Sequence, residues 1–246
     1  MDKEVIFHDL GKNRDYQEIW DLQEKLLADN VAIKQYNRAL EKEGSTDFKP
    51  TNNDLLFVEH PHVYTLGKSG DVENMLANED KLKEINATFF KTNRGGDITY
   101  HGPGQLVGYP IFDLESFKPD IHLYMRNLEE VIIRTIGEYG LKGERSSGET
   151  GVWLDVGKPY ARKICAMGVK ASRWVTMHGF ALNVNTDLRY FEYIIPCGIK
   201  DKAVASLNRE LNNDVDIEEV KAFAKKHFEE VFQIKLKNDI SNLENY

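Results

Sequence analysis

With 246 residues the chain exceeds one typical domain of roughly 100 to 150 residues, yet it fits one large unit, and 41% apolar residues suffice for a core. A formal net charge of −8 argues against a general nucleic-acid binder, whose phosphate contacts need clustered Lys and Arg. The two cysteines, Cys165 and Cys197, make neither a disulfide framework nor a CxxC motif. No run reaches the roughly 18 apolar residues of a membrane span, and the opening MDKEVIFHDL lacks the basic-then-apolar pattern of a signal peptide, so a cytoplasmic protein is expected.

In chain order, EVIFHDL reads as a short strand. From Arg14 to Lys42 a helix is predicted, with Tyr16, Ile19, Trp20, Leu26, Leu27, Val31, Tyr36 and Leu40 at mostly three-to-four spacing and Gly44 as its stop. A polar loop follows to Asn53, then two strands, DLLFVEHP and VYTLGK, joined at His60, Pro61 and His62. Two histidines flanking a proline rarely converge on a metal without further ligands, so these are read as exposed loop residues. Helical material is expected from Asp71 to Ile85, and ATFFKTNR as a strand.

The segment Arg94 to Gln105, RGGDITYHGPGQ, carries four glycines in twelve residues and reads either as a decorated hairpin or as a ligand-binding loop. QLVGYPIFDL beyond it is a strand in which Pro110 favours an edge or a bulge. A second helix is predicted from His122 to Tyr139, with Tyr124, Leu128, Val131, Ile132, Thr135 and Ile136 on its apolar side. Next come three β segments: GVWLDV, RKICAMGVKASRWVTM after a turn at Gly157 to Pro159, and HGFALNVN. LRYFEYIIPCGI follows, then helices from Val204 to Leu211 and from Ile217 to Phe232. The pattern predicts an α+β fold, a mixed sheet with covering helices, occupying residues 1–246 as one domain.

Cys197 lies in PCG, where a proline and a glycine would present a thiol on a sharp turn. An ordinary thiol is only about 3% ionised at neutral pH, so a nucleophile there needs a nearby cation or base. Lys163, in an otherwise apolar strand, is one candidate, and His101 and His178, each preceding a glycine, are others; spacing does not choose between them. No Asp or Glu occurs from Val156 to Thr186, whereas Lys158, Arg162, Lys163, Lys170 and Arg173 do, which predicts a locally cationic surface that favours a thiolate and an acidic partner.

RGGDITYHGPGQLVGYPIFDL, GVW with RKICAMGVK, HGFALNVNTDL and IIPCGI, in this order between Leu56 and Leu207, resemble the lipoyl(octanoyl) transferases of lipoate biosynthesis. The resemblance implies the fold of lipoate and biotin protein ligase catalytic domains, with no metal and no cofactor. It implies transfer of an octanoyl or lipoyl group from acyl carrier protein to a lysine of lipoyl domains, those of 2-oxoacid dehydrogenase E2 subunits and of the glycine cleavage H protein, as the first step of endogenous lipoate biosynthesis. Nucleic acid and membrane are not expected partners. By position, Cys197 would carry the acyl group as a thioester and Lys163 would lower its pKa. The acyl pocket would map onto Arg94, Gly95, Gly96, Asp97, Ile98, Thr99, Tyr100 and His101, then Ala166, Met167 and Gly168, then Gly179, Phe180 and Ala181. Where the family often has a small residue two after the lysine, this chain has Cys165, read as structural.

Two rival readings remain on the sequence. An ATP-dependent lipoate ligase would share the fold, but its glycine loop commonly continues from the histidine into an aspartate, where this chain has Gly102, Pro103, Gly104 and Gln105. A non-catalytic protein that captures lipoyl domains or acylated carriers would not need Cys197.

Overall fold

The computed structural model describes residues 3–195 and 203–238. Among these, the chain builds an eight-stranded mixed sheet and a three-stranded one. β1 (Lys3–Asp9), β2 (Asp54–Val58), β6 (Gln105–Ile111), β8 (Arg162–Ser172), β9 (Val175–Asn183), β10 (Ala203–Val204) and β11 (Ile234–Asn238) run in the order β10-β8-β9-β6-β2-β1-β11, with β7 (Val152–Leu154) also pairing with β8. The small sheet is β4 (Thr88–Lys91), β3 (Val63–Leu66) and β5 (Ile98–His101), ordered β4-β3-β5.

Period-2 alternation sorts the strand residues between two faces. Leu55 and Phe57 of β2, with Val5, Phe7, Phe180 and Leu182, join a core built with α3 (Ile121–Gly137) and α5 (Ile217–Phe232). Leu56 and Val58, with Val107, Tyr109 and Ala181, face the other way, onto Ile19, Leu22 and Leu27 of α1 (Tyr16–Lys42). Helices therefore cover both faces of the large sheet.

α1 begins at Asp15, whose side chain accepts from the N–H of Gln17 and Glu18 at 2.8 and 3.1 Å. Its second half departs from the expected apolar stripe. Tyr36 is 45% exposed, while Asn30 and Lys34 are buried. Asn30 trades two hydrogen bonds with the backbone of Asn52, and Lys34 Nζ sits 2.5 Å from Asp113 and 2.7 Å from Glu115. A polar clasp holds this half of the helix.

Four other expectations are corrected. The region 71–85 holds only a 3-10 turn, Val72–Asn74, and the short α2 (Glu79–Glu84). β8 and β9 turn at Arg173 and Trp174, both at positive φ, rather than before His178, which lies inside β9. Residues 203–204 form β10, so α4 (Leu207–Leu211) starts three residues later than expected. Finally, β6 is central, between β2 and β9, despite Pro110. The proline is tolerated because the β6–β9 ladder stops at the Gly108–Phe180 pair, short of Pro110.

Candidate active site

A cavity opens at the seam between the two sheets. Lys163, Ala166, Met167 and Gly168 of β8 line it together with Gly179, Phe180 and Ala181 of β9, and Arg94, Gly96, Asp97, Ile98, Thr99 and His101 close it from the glycine segment. That segment is not a hairpin. Its middle is β5, which pairs antiparallel with β3, so the chain passes here from the small sheet to the large one.

Two expected lining residues lie elsewhere. Gly95 is spent on docking the segment to β8: its N–H donates to Val169 O at 2.9 Å. A Cβ on Gly168 would come within 2.6 Å of the Gly95 carbonyl, so the approach requires glycine at 168. Tyr100 projects to the opposite face of β5, where its hydroxyl bonds His62 Nδ1 at 2.7 Å within a cluster with Tyr64 and Tyr190. His60 and His62 are not exposed loop residues either. His60 is fully buried, bonded to Arg14 O and to the Tyr109 hydroxyl, each at 2.8 Å. No cluster of metal-ligating side chains occurs among the described residues.

Polar groups of the wall are committed to structure. Arg94 donates to the hydroxyl and the carbonyl of Thr65 on β3 and to Gly95 O. Asp97 accepts from Asn74 Nδ2 at 2.7 Å and from Ile98 N at 2.7 Å.

The two cavity histidines are held neutral. Burial, with His60 next in weight, pushes His101 down to about 3, and burial followed by Arg94 pushes His178 down to about 3. Gln105 donates to Asn183 Oδ1 at 2.8 Å, so its own oxygen accepts from His101 Nδ1–H at 2.9 Å. Lys170 donates to Glu24, Glu24 accepts from Asn93 Nδ2, and Asn93 Oδ1 then accepts from His178 Nε2–H at 2.8 Å. His178 also stands at φ 59 within β9, and its N–H goes to Gln23 Oε1. Neither ring is poised to gain a proton near neutral pH.

Cys165 is fully buried and its thiol is pushed up, chiefly by burial, which fits its structural reading. Cys197 lies outside the described residues, but both flanks of its segment are described. Before it, Ile195 N donates to Asn74 O at 2.8 Å, the same Asn74 that holds Asp97. After it, Val204 lies opposite Lys163 in the parallel β10–β8 pair, and Ala205 N donates to Lys163 O at 2.9 Å.

The acid-free stretch is not acid-free in space. Arg162 is clasped by Asp155 and by Glu210 of α4, and Lys170 by Glu24 of α1. Lys158 and Arg173 remain exposed. Cavity residues that the sequence did not single out are Tyr16, Gln105, Tyr109, Thr150, Asn183, Phe191 and Val204. Asn183 was findable, as a buried-strand polar residue at the end of the apolar run Phe180–Leu182; Tyr16 was indistinguishable from a core position of its helix.

Residues 15–229 match the family model of the lipoyl protein ligase A/B catalytic domain. The chain belongs to that family. It is 64% identical over 238 residues to the octanoyltransferase of Christiangramia forsetii, covering 96% of this chain and 99% of the relative. It is 61% identical to the octanoyltransferase of Flavobacterium johnsoniae, covering 96% and 100%. The chain is thus an acyltransferase of the octanoyltransferase group. Among solved structures, the bipartite lipoate protein ligase of Thermoplasma acidophilum superposes with a TM-score of 0.68 at 20% identity over 96% of this chain and 87% of that one. A lipoate-protein ligase A bound with ATP gives 0.66 at 18% identity, covering 97% and 89%. At such identities the likeness establishes the α+β fold. No helix among the described residues is long and apolar enough to cross a membrane.

Proposed function

We propose that the chain moves an octanoyl or lipoyl group from the phosphopantetheine thioester of acyl carrier protein to a lysine of lipoyl domains, through a thioester on Cys197, within lipoate biosynthesis. The observation that carries this reading is the pair of anchors on either side of residues 196–202: Asn74 ties one flank to the glycine segment, and the other flank runs along Lys163.

In the first half-reaction the Cys197 thiolate attacks the donor carbonyl. A new C–S bond forms, the donor C–S bond breaks, and the departing carrier thiolate takes a proton from the Lys163 ammonium and leaves as a thiol, so that Lys163 is neutral when the acceptor amine arrives. The exchange of one thioester for another needs neither nucleotide nor metal. In the second, the acceptor amine attacks, the amide C–N bond forms, the Cys197 C–S bond breaks, and the amine proton passes to Lys163 or to the departing thiolate. The amide is more stable than the thioester, which drives completion.

In this reading Lys163, which lines the cavity, stabilises the thiolate, while His101 and His178, kept neutral, contribute no positive charge. The apolar contribution of Met167, Phe180 and Ala181 suits an acyl chain. The acceptors in this reading include the lipoyl domains of 2-oxoacid dehydrogenase E2 subunits and the glycine cleavage H protein. The test is intact mass after mixing with octanoyl acyl carrier protein without nucleotide. An octanoyl adduct located on Cys197, and its loss in Cys197→Ser, is expected; strict ATP dependence, or full transfer by Cys197→Ser, would overturn the reading.

A further inference from the structure

Trp153 and Lys163 are directly opposite in the antiparallel β7–β8 pair, so their side chains leave the sheet on the same face. A register shift between Val152 and Trp153 marks a bulge there, a device that re-aims a side chain. Lys163 Nζ lies 4.6 Å from the centroid of the Trp153 ring. Trp153 is only 3% exposed, and its backbone is gripped from the other side as well: its N–H donates to Glu144 O at 2.9 Å and its carbonyl accepts from Glu144 N at 2.8 Å. The indole is therefore a rigid plate, and the lysine that lines the cavity rests its ammonium on it.

We propose that Trp153 is a positioning residue for the acyl transfer: its ring holds the Lys163 ammonium at the cavity and favours its charged form. The ring quadrupole attracts a cation, more strongly where water is excluded, and it offers nothing comparable to the neutral amine. A flexible four-carbon stem otherwise leaves the ammonium many rotamers. Behind the plate the mould is continued by Gly151, at φ 108, where a Cβ would meet the Cys165 carbonyl at 2.4 Å and the Lys163 stem at 3.6 Å. Gly151 N is in turn held by the buried Glu129 of α3 at 3.1 Å.

Among the described residues, several charges around this pair of strands are engaged with other partners. Glu129 is paired with Arg126 and Arg145, Glu144 pairs with Lys142 and accepts from Val156 N, and Arg162 is held by Asp155 and Glu210. The indole face adds a contribution to the lysine that these pairs do not duplicate.

The catalytic part of this inference rests on the proposed role of Lys163, and two readouts keep the two apart. The first is competitive acetylation of Lys163 as a function of pH, followed by peptide mass spectrometry, in the wild type, Trp153→Phe and Trp153→Leu. Loss of the ring contact lowers the affinity of the amine for its proton, so the labelling midpoint is expected to fall, more in Trp153→Leu than in Trp153→Phe. Wild-type midpoints in both variants would overturn the proposal; Trp153→Phe alone decides it if the leucine variant does not fold.

The second readout is octanoyl transfer in a double-mutant cycle. Trp153→Phe is expected to slow transfer about two- to tenfold in the wild-type background and to have no further effect on Lys163→Ala. A loss of equal size in both backgrounds would overturn the positioning role, leaving Trp153 as core. Unchanged transfer in Lys163→Ala itself would instead sink the proposed role of the lysine, whatever the labelling shows.

Discussion

The carbonyl of Lys163 accepts the N–H of Ala205 at 2.9 Å, and Asn183 Nδ2 donates to the Ala205 carbonyl at 2.9 Å. Both backbone groups of Ala205 are thus fixed, one by the lysine's own strand and one by a cavity residue that belongs to the Gln105–His101 chain. Asn183→Leu removes the donor and leaves the Ala205 carbonyl buried without it, at a cost of about 1–3 kcal/mol. The expected signature is a fall in kcat for octanoyl transfer with little change in KM for the carrier, since the change touches the return of the chain to β8. An unchanged kcat would show that this anchor does not matter to the chemistry.

Lys163→Ala is expected to slow acylation of the enzyme and to raise the pH at which Cys197 reacts with an alkylating agent, toward the ordinary thiol range near 8.5. Cys165, being fully buried, supplies an internal control that stays unlabelled in the folded protein. Alkylation profiles that superpose for wild type and variant would remove the lysine from thiol activation.

Gly168→Ala places a methyl where the Gly95 carbonyl comes within 2.6 Å, and backbone on both sides must give. Overpacking of this kind costs about 1–3 kcal/mol. The displaced part is the wall of the cavity, so KM for the octanoyl donor is expected to rise alongside the loss measured in urea unfolding. A variant as stable and as active as the wild type would mean that the segment is not held against β8 in this way.

Acid should weaken the fold before the carboxylates are neutralised. His60 is pushed down to about 4 and His101 and His178 to about 3, in each case chiefly by burial. A depressed folded pKa means that the unfolded chain binds protons first. The stability these neutral rings confer is complete above about 6.5, and it is lost as pH falls from there toward 3 to 4. At pH 5.5 the loss is about 1.4 kcal/mol for each ring. Urea midpoints at pH 7.5 and 5.5 measure it, and His60→Gln should remove about a third of the difference; equal midpoints at the two values would refute it.

For an acidic carrier, the exposed Lys158 and Arg173 are the remaining cations of the stretch that the sequence nominates for docking. Lys158→Glu with Arg173→Glu should slow transfer and flatten its salt dependence. Lys170→Glu acts differently. It sets two carboxylates together at Glu24 and disturbs the Asn93–His178 chain, so its defect should persist at high salt. Salt profiles that coincide for the wild type and the double variant would rule out this landing surface.

How much of this was legible depended on where the information lay. β1, α3 and α5 were readable because one face of each is apolar at the proper period, and β2 because it is a short continuous apolar run buried on both faces. The hairpin turn was not, since Arg173 and Trp174 adopt positive φ without the Gly or Asn that usually signals it. The lower half of α1 misled because its buried anchors, Asn30 and Lys34, are polar and find their partners far along the chain. In the glycine segment the side of the strand was not legible: β5 pairing puts Thr99 and His101 toward the cavity and Tyr100 away from it. The cationic stretch 156–186 has Arg162 and Lys170 neutralised for the same reason, as the acids that pair with them, Glu210 and Glu24, come from distant helices.

The passage of the chain from β5 of the small sheet to β6 of the large one makes the cavity a joint as well as a pocket. A ligand filling it would touch Ile98 and Thr99 on one side and Met167 and Phe180 on the other, and so would act as mortar between two slabs. A ligand that binds only the assembled joint raises the melting temperature in proportion to the logarithm of its concentration. Amide exchange should slow most in β3 and β5, the strands that meet the large sheet across the filled seam.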